Sequence, residues 1–585
     1  MRVFSLLVVF GIAVADCSAA SAVGHPRLFA DKARLAELRT FCGRNPTGKA
    51  YRKRLLEDAE RLVDAKPVER VLTGRRLLDV SREALARISC LAFAAQLTGE
   101  RTYAQRGVTE LKTICEFSDW HTEHYLDTGE LALAAAIGYD WLFAEMDAET
   151  RRRCARAIAA RSLETWNEKL WWARSDSNWN AVCNAGTLAA CWALWDDPAE
   201  GALARKVFAA ARKSVANGFK CYAPEGAYPE GPMYWDYGTA FACIAAEVVH
   251  EATGSDELFA SRGFDRTCEY PGRMTAPSGN LFDFGDGHLH GRPSFPSFYL
   301  AWKFKRPETL SAFKHDLVSA QGRDRLFPLT GLYLDLDIPP ADRRTAPEFW
   351  SSSESGVPCC SAKLPNGAWF AVRGGKAASP HMHMDVGGFV YEARNRRFVI
   401  DYGMEPYHNA EKRGIQIWDN KRGGGRWNCF RLGPEAHAIL RINGEMQDSD
   451  GFAPFTAFET NALPYKVTLD LSALYPKARR VTRTFTLKAD GRLVIRDLAE
   501  GLAAGDRVSV QYPLAKGSYR VAASASSAAD VLTLVCAGAE STVSDQQTRL
   551  AGWEHPIQPS DRVDFTKRAG KDGRVELVTE LIPPR

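Results

Sequence analysis

Up to about residue 335 the apolar residues recur at helical spacing, and beyond it they come in short alternating runs. Ser81-Arg-Glu-Ala84 has the hydroxyl-plus-acid form of a helix start, and Leu85, Ile88, Leu91 and Ala95 follow at three- and four-residue intervals. Gly129–Phe143, Ala148–Trp166, Thr187–Trp195 and Ala202–Val215 repeat the pattern with no strand signal between them. That predicts an all-helical layer. Later, Ala368–Val372, Gly388–Glu392, Arg397–Ile400, Tyr465–Leu471, Val481–Leu487, Arg492–Leu498 and Arg507–Tyr512 are β-rich and broken by Gly, Asp-Gly or Pro. Strands so short and numerous predict an antiparallel β-sandwich. The Pro- and charge-rich stretch Pro339–Pro347 lies between the two textures. We therefore expect a helical domain over 23–335, a linker over 336–350 and a β-sandwich over 351–585. No repeat of fixed period is visible.

A chain of 585 residues exceeds one hydrophobic core, and its 45% apolar and 25% charged composition is that of an ordinary globular protein. A net charge of +4 without a long Lys/Arg block argues against nucleic-acid binding. At the N-terminus, Arg2, the apolar run Val3–Val14 and the small residues Ala20-Ser21-Ala22 have the form of a signal peptide, residues 1–22. The expectation is export to the periplasm or beyond, with Val23 as the mature start. Cys17 invites lipid anchoring, but the preceding Asp16 suits that poorly. No other run approaches the roughly 20 apolar residues of a membrane span. The 14 cysteines are scattered without Cys-x-x-Cys pairs, as buried small hydrophobes are. Cys359 and Cys360, neighbours on a predicted strand, should face opposite ways.

Candidate chemistry lies in two places. In the β region, His381-Met-His383-Met-Asp385-Val-Gly-Gly-Phe389 is followed by Asp401-Tyr-Gly403 and by His437 at the head of a later β-like run. On an extended strand His381 and His383 share a face. Adjacent strands can bring His383, Asp401 and His437 together, and two imidazoles with a carboxylate suit a divalent metal. His381 would then be a spare imidazole able to move protons. An ordinary sheet with surface histidines is the other reading. In the helical region, Ser177-Asn178-Trp179-Asn180 and Pro224-Glu225-Gly226-Ala-Tyr-Pro-Glu230-Gly231-Pro-Met-Tyr234-Trp-Asp236-Tyr237 precede apolar helices. They place polar groups at helix N-terminal ends, which favour anions; helix capping and core packing would use the same residues. Lys412, Arg413, Lys421, Arg422 and Arg426 surround a glycine run and either grip anionic groups or form a solvated loop. Asp283-Phe-Gly-Asp286-Gly-His288-Leu-His290 is either a second metal cluster or a turn with exposed histidines.

The His-x-His-x-Asp-x-Gly-x-Phe run with its following Asp-x-Gly, the Glu-Gly-x-x-Tyr-Trp segment and the Asn-containing turn together resemble the heparinase II/III-like polysaccharide lyases. The resemblance spans most of residues 25–450. It implies an (α/α) toroid followed by a β-sandwich, and an eliminase for anionic, uronic-acid polysaccharides of the chondroitin, hyaluronan or heparan kind. It also implies Tyr234 as the catalytic tyrosine, with Tyr237 one turn later as runner-up, and His381 as its partner. Asn178 and Asn180 would be amide donors where many relatives carry a histidine. His383, Asp401 and His437 would hold a structural ion, Zn²⁺ first, with Mn²⁺ or Ca²⁺ as alternatives. Trp179, His124, Glu230, Arg422 and Arg426 are further candidates for holding substrate. His124-Tyr-Leu-Asp127-Thr-Gly-Glu130 resembles another of the family's segments, so His124 or Glu130 would line the cleft or pack a helix. Two other readings stand beside it: a toroid glycoside hydrolase using a pair from Glu225, Glu230 and Asp236, and a non-catalytic carbohydrate-binding protein.

Overall fold

The computed structural model describes residues 24–313, 318, 324–339 and 346–585. The predicted signal peptide, with Cys17, and residues 340–345 of the predicted linker lie outside the described residues. Helices occupy the chain as far as Tyr333, and the strands begin at Glu348. The helix Tyr125–Trp141 is buried on every side, and Asn178–Ala193 is buried but for Trp179. An all-round apolar or small-residue surface marks both as central helices. They cross closely because Gly129 and Gly186 meet there: a β-carbon at Gly186 would overlap the Gly129 carbonyl. Gly231–Thr253 packs beside them. Boundaries differ from the sequence reading in two instructive places. The Asn178–Asn184 segment is the opening of its helix rather than a turn before it, and Tyr234 and Tyr237 lie within the first two turns of theirs.

The β region is two sheets. The first runs Glu348–Ser352, Cys359–Lys363, Trp369–Arg373, Phe389–Ala393, Arg396–Val399, Arg507–Ala515, Ser560–Arg568, Glu540–Asp545, with Leu440–Ile442 also paired to Arg507–Ala515. The second runs Tyr519–Val521, Leu532–Cys536, Arg574–Ile582, Leu493–Glu500, Arg480–Leu487, Tyr465–Asp470, Phe455–Glu459. All pairings but Tyr519–Val521 with Leu532–Cys536 are antiparallel. The second sheet alternates buried and half-buried positions, so its outer face meets solvent. The first is covered on both faces over its early strands. Cys359, Trp369, Ala371 and Val390 pack into the helical core, while Cys360, Phe370, Val372, Phe389 and Tyr391 pack into the sandwich core. Cys359 and Cys360 do face opposite ways, and the described cysteines are all free thiols. No helix among the described residues is long and apolar enough to cross a membrane.

One buried ion pair ties the second sheet to the loops that carry the candidate site. Arg483 donates to both oxygens of Asp497, at 2.7 and 3.3 Å, and to the carbonyls of Gly387 and Ala438, at 2.9 and 2.8 Å. Both side chains are buried. Removing one member strands the other charge, so Arg483→Met should lose about 3–5 kcal/mol of stability. The double variant Arg483→Met/Asp497→Leu should regain part of that loss. Urea unfolding of the three proteins checks it, and an Arg483→Met protein as stable as wild type would refute it.

Candidate functional site

The site is organised by one carboxylate, Asp286. Its loop folds between two β-domain segments: the Asp286 amide donates to the His381 carbonyl at 2.8 Å, and Gly287 accepts from the Met404 amide at 3.1 Å. Gly285 makes this approach possible, with φ of 63° and a space in which a β-carbon would lie 2.7 Å from the His381 oxygen. Arg426 donates to both Asp286 oxygens at 3.1 Å, His383 Nε2 meets Oδ1 at 3.0 Å, and His381 Nδ1 meets Oδ2 at 3.1 Å. The Tyr407 hydroxyl donates to Oδ2 at 2.7 Å. Burial alone would raise the Asp286 pKa, but the Arg426 charge and the two imidazoles outweigh it and hold the carboxyl well below its usual range.

His381 does not sit on a strand, which corrects the expectation that it and His383 share a strand face. It lies in a turn with a left-handed backbone, φ 61°, and the first strand after it starts at Phe389. The two rings therefore part company: His383 is fully buried, while His381 lines the interdomain cleft. Tyr234, from the second turn of the helix Gly231–Thr253, stacks its ring on His381 at 3.7 Å and 19°. Its hydroxyl meets that of Tyr407 at 2.8 Å. The chain Tyr234–Tyr407–Asp286–His381 thus spans the two domains. Burial, then the Asp286 charge, push Tyr234 above its ordinary pKa, so it stands as a neutral phenol. With Nδ1 occupied by Asp286 and Tyr407, His381 keeps Nε2 for the cleft; no hydrogen bond reaches it among the described residues.

The other candidates divide. Asn178 lines the cleft, and its amide donates to buried Glu230 at 2.7 Å. Burial raises the Glu230 pKa against the opposing pull of His381 and Asn178. Asn178 Oδ1 and Glu230 Oε1 are both buried without a partner. Asn180 is no cleft donor. Its amide is spent on the carbonyls of Trp172, Ala173 and Ser214, at 3.1 Å each, and its oxygen takes the Gly218 amide at 3.2 Å, so it fixes helix packing. Tyr237 is held between the guanidinium groups of Arg82 and Arg325, both paired with buried Glu130. Trp179 and His124 line the cleft. Arg422 is half exposed and faces Glu445 and Asp448 at 4.0 Å, away from the cleft. Arg426 is buried on Asp286, so it positions that carboxylate and does not grip a ligand.

His383, Asp401 and His437 do converge, each offering a ligand atom within 4.8 Å of the others, and they are the one such group among the described residues. The strand Arg396–Val399 delivers Asp401, and the start of Leu440–Ile442 delivers His437. Both strands pair with Arg507–Ala515. Hydrogen bonding sets the free nitrogens. His383 Nε2 is on Asp286 and His437 Nδ1 is 2.8 Å from Asp401 Oδ2, which leaves His383 Nδ1 and His437 Nε2 buried with no partner. Two orphaned imidazole nitrogens beside a carboxylate fit a divalent ion with nitrogen and oxygen ligands. The Asp283–His290 segment is not a second metal cluster: Asp283 pairs with Arg397 at 3.2 Å and Asp286 is the anchor described above.

The cleft is long, about 1340 Å³, and is walled by both domains. Six of the twelve histidines line it (His121, His124, His288, His290, His381 and His408), with Arg75, Arg76, Arg82, Arg292 and Arg325. Against them stand Asp79, Glu123, Asp236 and Asp324, and Arg76, Arg82 and Arg325 are already paired with Glu411 and Glu130. No family model and no curated relative matches the chain in sequence. Solved structures do match along nearly its whole length. A heparinase III gene product with methylated lysines superposes with a TM-score of 0.58 at 13% identity, covering 89% of this chain and 79% of its own. A second heparinase III gives 0.57 at 11% identity, covering 96% and 94%. A heparan sulfate lyase from Pedobacter heparinus gives 0.52 at 15% identity, covering 94% and 88%. The chain has the heparinase III fold. Within this fold the stacked Tyr234–His381 pair lies where the helical domain meets the first sheet.

Three site residues were not read in the roles they hold. Asp286 stood in the sequence only as part of a candidate metal cluster or turn over Asp283–His290. Tyr407 and Trp418, the latter edge-on to Tyr407 at 4.9 Å and to His381 at 5.7 Å, had no motif around them.

The paired histidines should separate in a metal assay. His383→Ala should lose bound metal, thermal stability and activity together, whereas His381→Ala should keep metal and melting temperature near wild type while losing activity. Elemental analysis and melting curves decide it; equal metal loss in both would make the two histidines one ligand pair. Asp286→Asn keeps the shape but removes the charge that orients both rings. It should lower turnover by about 10²-fold or more while the protein still folds, measured as kcat alongside circular dichroism.

Proposed function

We propose that the protein is a polysaccharide lyase that cleaves uronic-acid chains of the glycosaminoglycan kind by β-elimination. The observation that carries this reading is the stacked Tyr234–His381 pair, a neutral phenol against an imidazole with a free Nε2, in a cleft of about 1340 Å³ walled by both domains. Elimination needs a base for the weakly acidic C5 proton, an acid for the departing 4-linked oxygen and donors that neutralise the uronate carboxylate. His381 Nε2 takes the C5 proton, and the imidazolium so formed is steadied by Asp286 through Nδ1–H. Tyr234 gives its proton to the leaving oxygen and regains one through Tyr407, at 2.8 Å, which in turn is 3.1 Å from His381 Nδ1, so the imidazolium returns the proton it took. The order follows from the raised Tyr234 pKa, which keeps the phenol protonated, so that it has a proton to give and is not available as the base. Asn178, backed by the buried Glu230, faces the substrate carboxylate.

His383, Asp401 and His437 would hold a divalent ion, Zn²⁺ first by donor type, with Mn²⁺ or Ca²⁺ as alternatives. Bound there, the ion supplies a structural tether that orients His383, and through Asp286 the site beside it. The predicted export segment over residues 1–22 belongs to the same reading, since such polymers lie outside cells. The pairs read for a hydrolase from Glu225, Glu230 and Asp236 do not form in the cleft. Glu225 takes hydrogen bonds from Ser352 and the Glu354 amide, at 2.9 and 3.2 Å, and Glu230 lies buried behind Asn178. Of those three acids only Asp236 lines the cleft, its pKa pushed up to about 6 by burial and Asp324.

Incubation with chondroitin sulfate, hyaluronan and heparan sulfate should give the ultraviolet absorbance of an unsaturated uronate from at least one of them. Reducing ends without that absorbance would mean a hydrolase, and neither signal would mean a binder. Tyr234→Phe should lower kcat by about 10²–10⁴-fold without altering the melting temperature. If Tyr237→Phe has the larger effect, the acid lies one helical turn away.

A further inference from the structure

The helical wall of the cleft carries a built cluster that the elimination chemistry does not use. Trp171 is 63% exposed, more than any other large apolar side chain described, yet it lines the cleft. Trp179 lies 4.9 Å from it, ring to ring, and His124 stands edge-on to Trp179 at 4.9 Å and 77°. Beneath them is Asp127, fully buried. Its Oδ2 lies 2.7 Å from His121 Nδ1 and its Oδ1 lies 2.8 Å from His124 Nδ1. The Leu77 amide also donates to Oδ2, at 2.8 Å. One carboxylate thus fixes two imidazoles through their Nδ1 atoms. Both Nε2 atoms are left without a hydrogen-bond partner among the described residues, on rings that line the cleft. The three side chains do not converge as a metal set.

We propose that this cluster is a pyranose-binding subsite for the polysaccharide chain, a proposal that rests on the carbohydrate reading above. The exposed Trp171 face, buttressed by Trp179 tilted at 50° to it, offers an apolar plane of the kind that covers the C–H face of a sugar ring. Beside it, His121 and His124 present Nε2 to ring hydroxyls. An imidazole Nε2 accepts a hydrogen bond when neutral and donates one when protonated, and a hydroxyl can do the reciprocal in either case. The locked Nδ1 contacts mean that the rings need no ordering when sugar binds. Because Trp171 and the Tyr234–His381 pair line the same cleft, the ring held here belongs to the chain being cut.

The test uses the uronan cleaved in the panel, as hexasaccharide, with wild type, Trp171→Ala and Trp171→Phe. Loss of one aromatic stack corresponds to about a five- to tenfold change. Trp171→Ala should therefore raise KM by that factor with kcat within about twofold, and Trp171→Phe should recover most of it. In the inactive Tyr234→Phe background, calorimetric Kd for the hexasaccharide should shift by the same factor on adding Trp171→Ala. Trp171 is exposed, so melting temperatures should match and a folding defect is separately visible. If wild type makes unsaturated product and Trp171→Ala leaves KM and Kd unchanged, the subsite is overturned and the lyase reading stands. If no uronan yields product but hexasaccharides bind in a Trp171-dependent way, the subsite stands and the lyase reading falls. If there is neither product nor binding, both are overturned.

Discussion

The buried Asp286 carboxylate is the constraint on which the site depends. Five groups from four places in the chain close on it: Arg426, His383, His381, the Tyr407 hydroxyl and, through Tyr407, Tyr234. A single buried charge is costly unless it is paired and fully hydrogen-bonded. The Arg426 charge leads in keeping the carboxylate ionised, and the carboxylate in turn dictates where its partners point. It leaves His381 Nε2 and His383 Nδ1 free, one toward the cleft and one toward Asp401 and His437. The His381 ring and the candidate metal ligands thus share a support without sharing a residue.

The architecture makes that shared support possible. The early strands of the first sheet are covered on both faces, by the helical core on one side and the second sheet on the other. A sheet buried this way cannot slip in register without moving apolar side chains between two cores. The loops that leave it, carrying His381, His383 and Asp401, start from a fixed frame. Arg483 extends the frame from the opposite sheet by binding the carbonyls of Gly387 and Ala438, next to the segments that end in His383 and His437. The ion pair of Arg76 with Glu411, two bonds of 2.8 Å, closes the helical domain on the β domain beside the cleft.

The cleft divides its labour between its walls. The β wall presents the imidazole of His381 and the indole of Trp418, and the helical wall presents Tyr234, Asn178 and the aromatic cluster around Trp171. Chemistry that joins groups from two domains excludes water only where the domains meet, which is where the Tyr234–His381 stack lies. In the function proposed above, a polymer with repeating negative charge would lie along this channel, with its reacting unit where the two walls come together.

Much was determined by the sequence itself, because it depends on local periodicity. The change from helical to alternating pattern near residue 335, the opposed faces of Cys359 and Cys360, and strands such as Val481–Leu487 and Arg507–Tyr512 follow from side-chain spacing along one element. The convergence of His383, Asp401 and His437 was legible because strand context and a family-like motif agreed. What tertiary structure alone decided was direction. His381 and His383 parted because a left-handed turn replaced the expected strand. Asn178 and Asn180, two residues apart on one helix start and both buried, parted because Asn178 borders the cleft on Glu230 while every polar atom of the Asn180 side chain is taken up in helix packing. Arg426 left the basic loop it was read in to hold Asp286, and Tyr407 and Trp418 reached the site across more than 100 residues of chain from Tyr234. Contacts between distant segments depend on how two cores pack against a common sheet, and no local spacing encodes that.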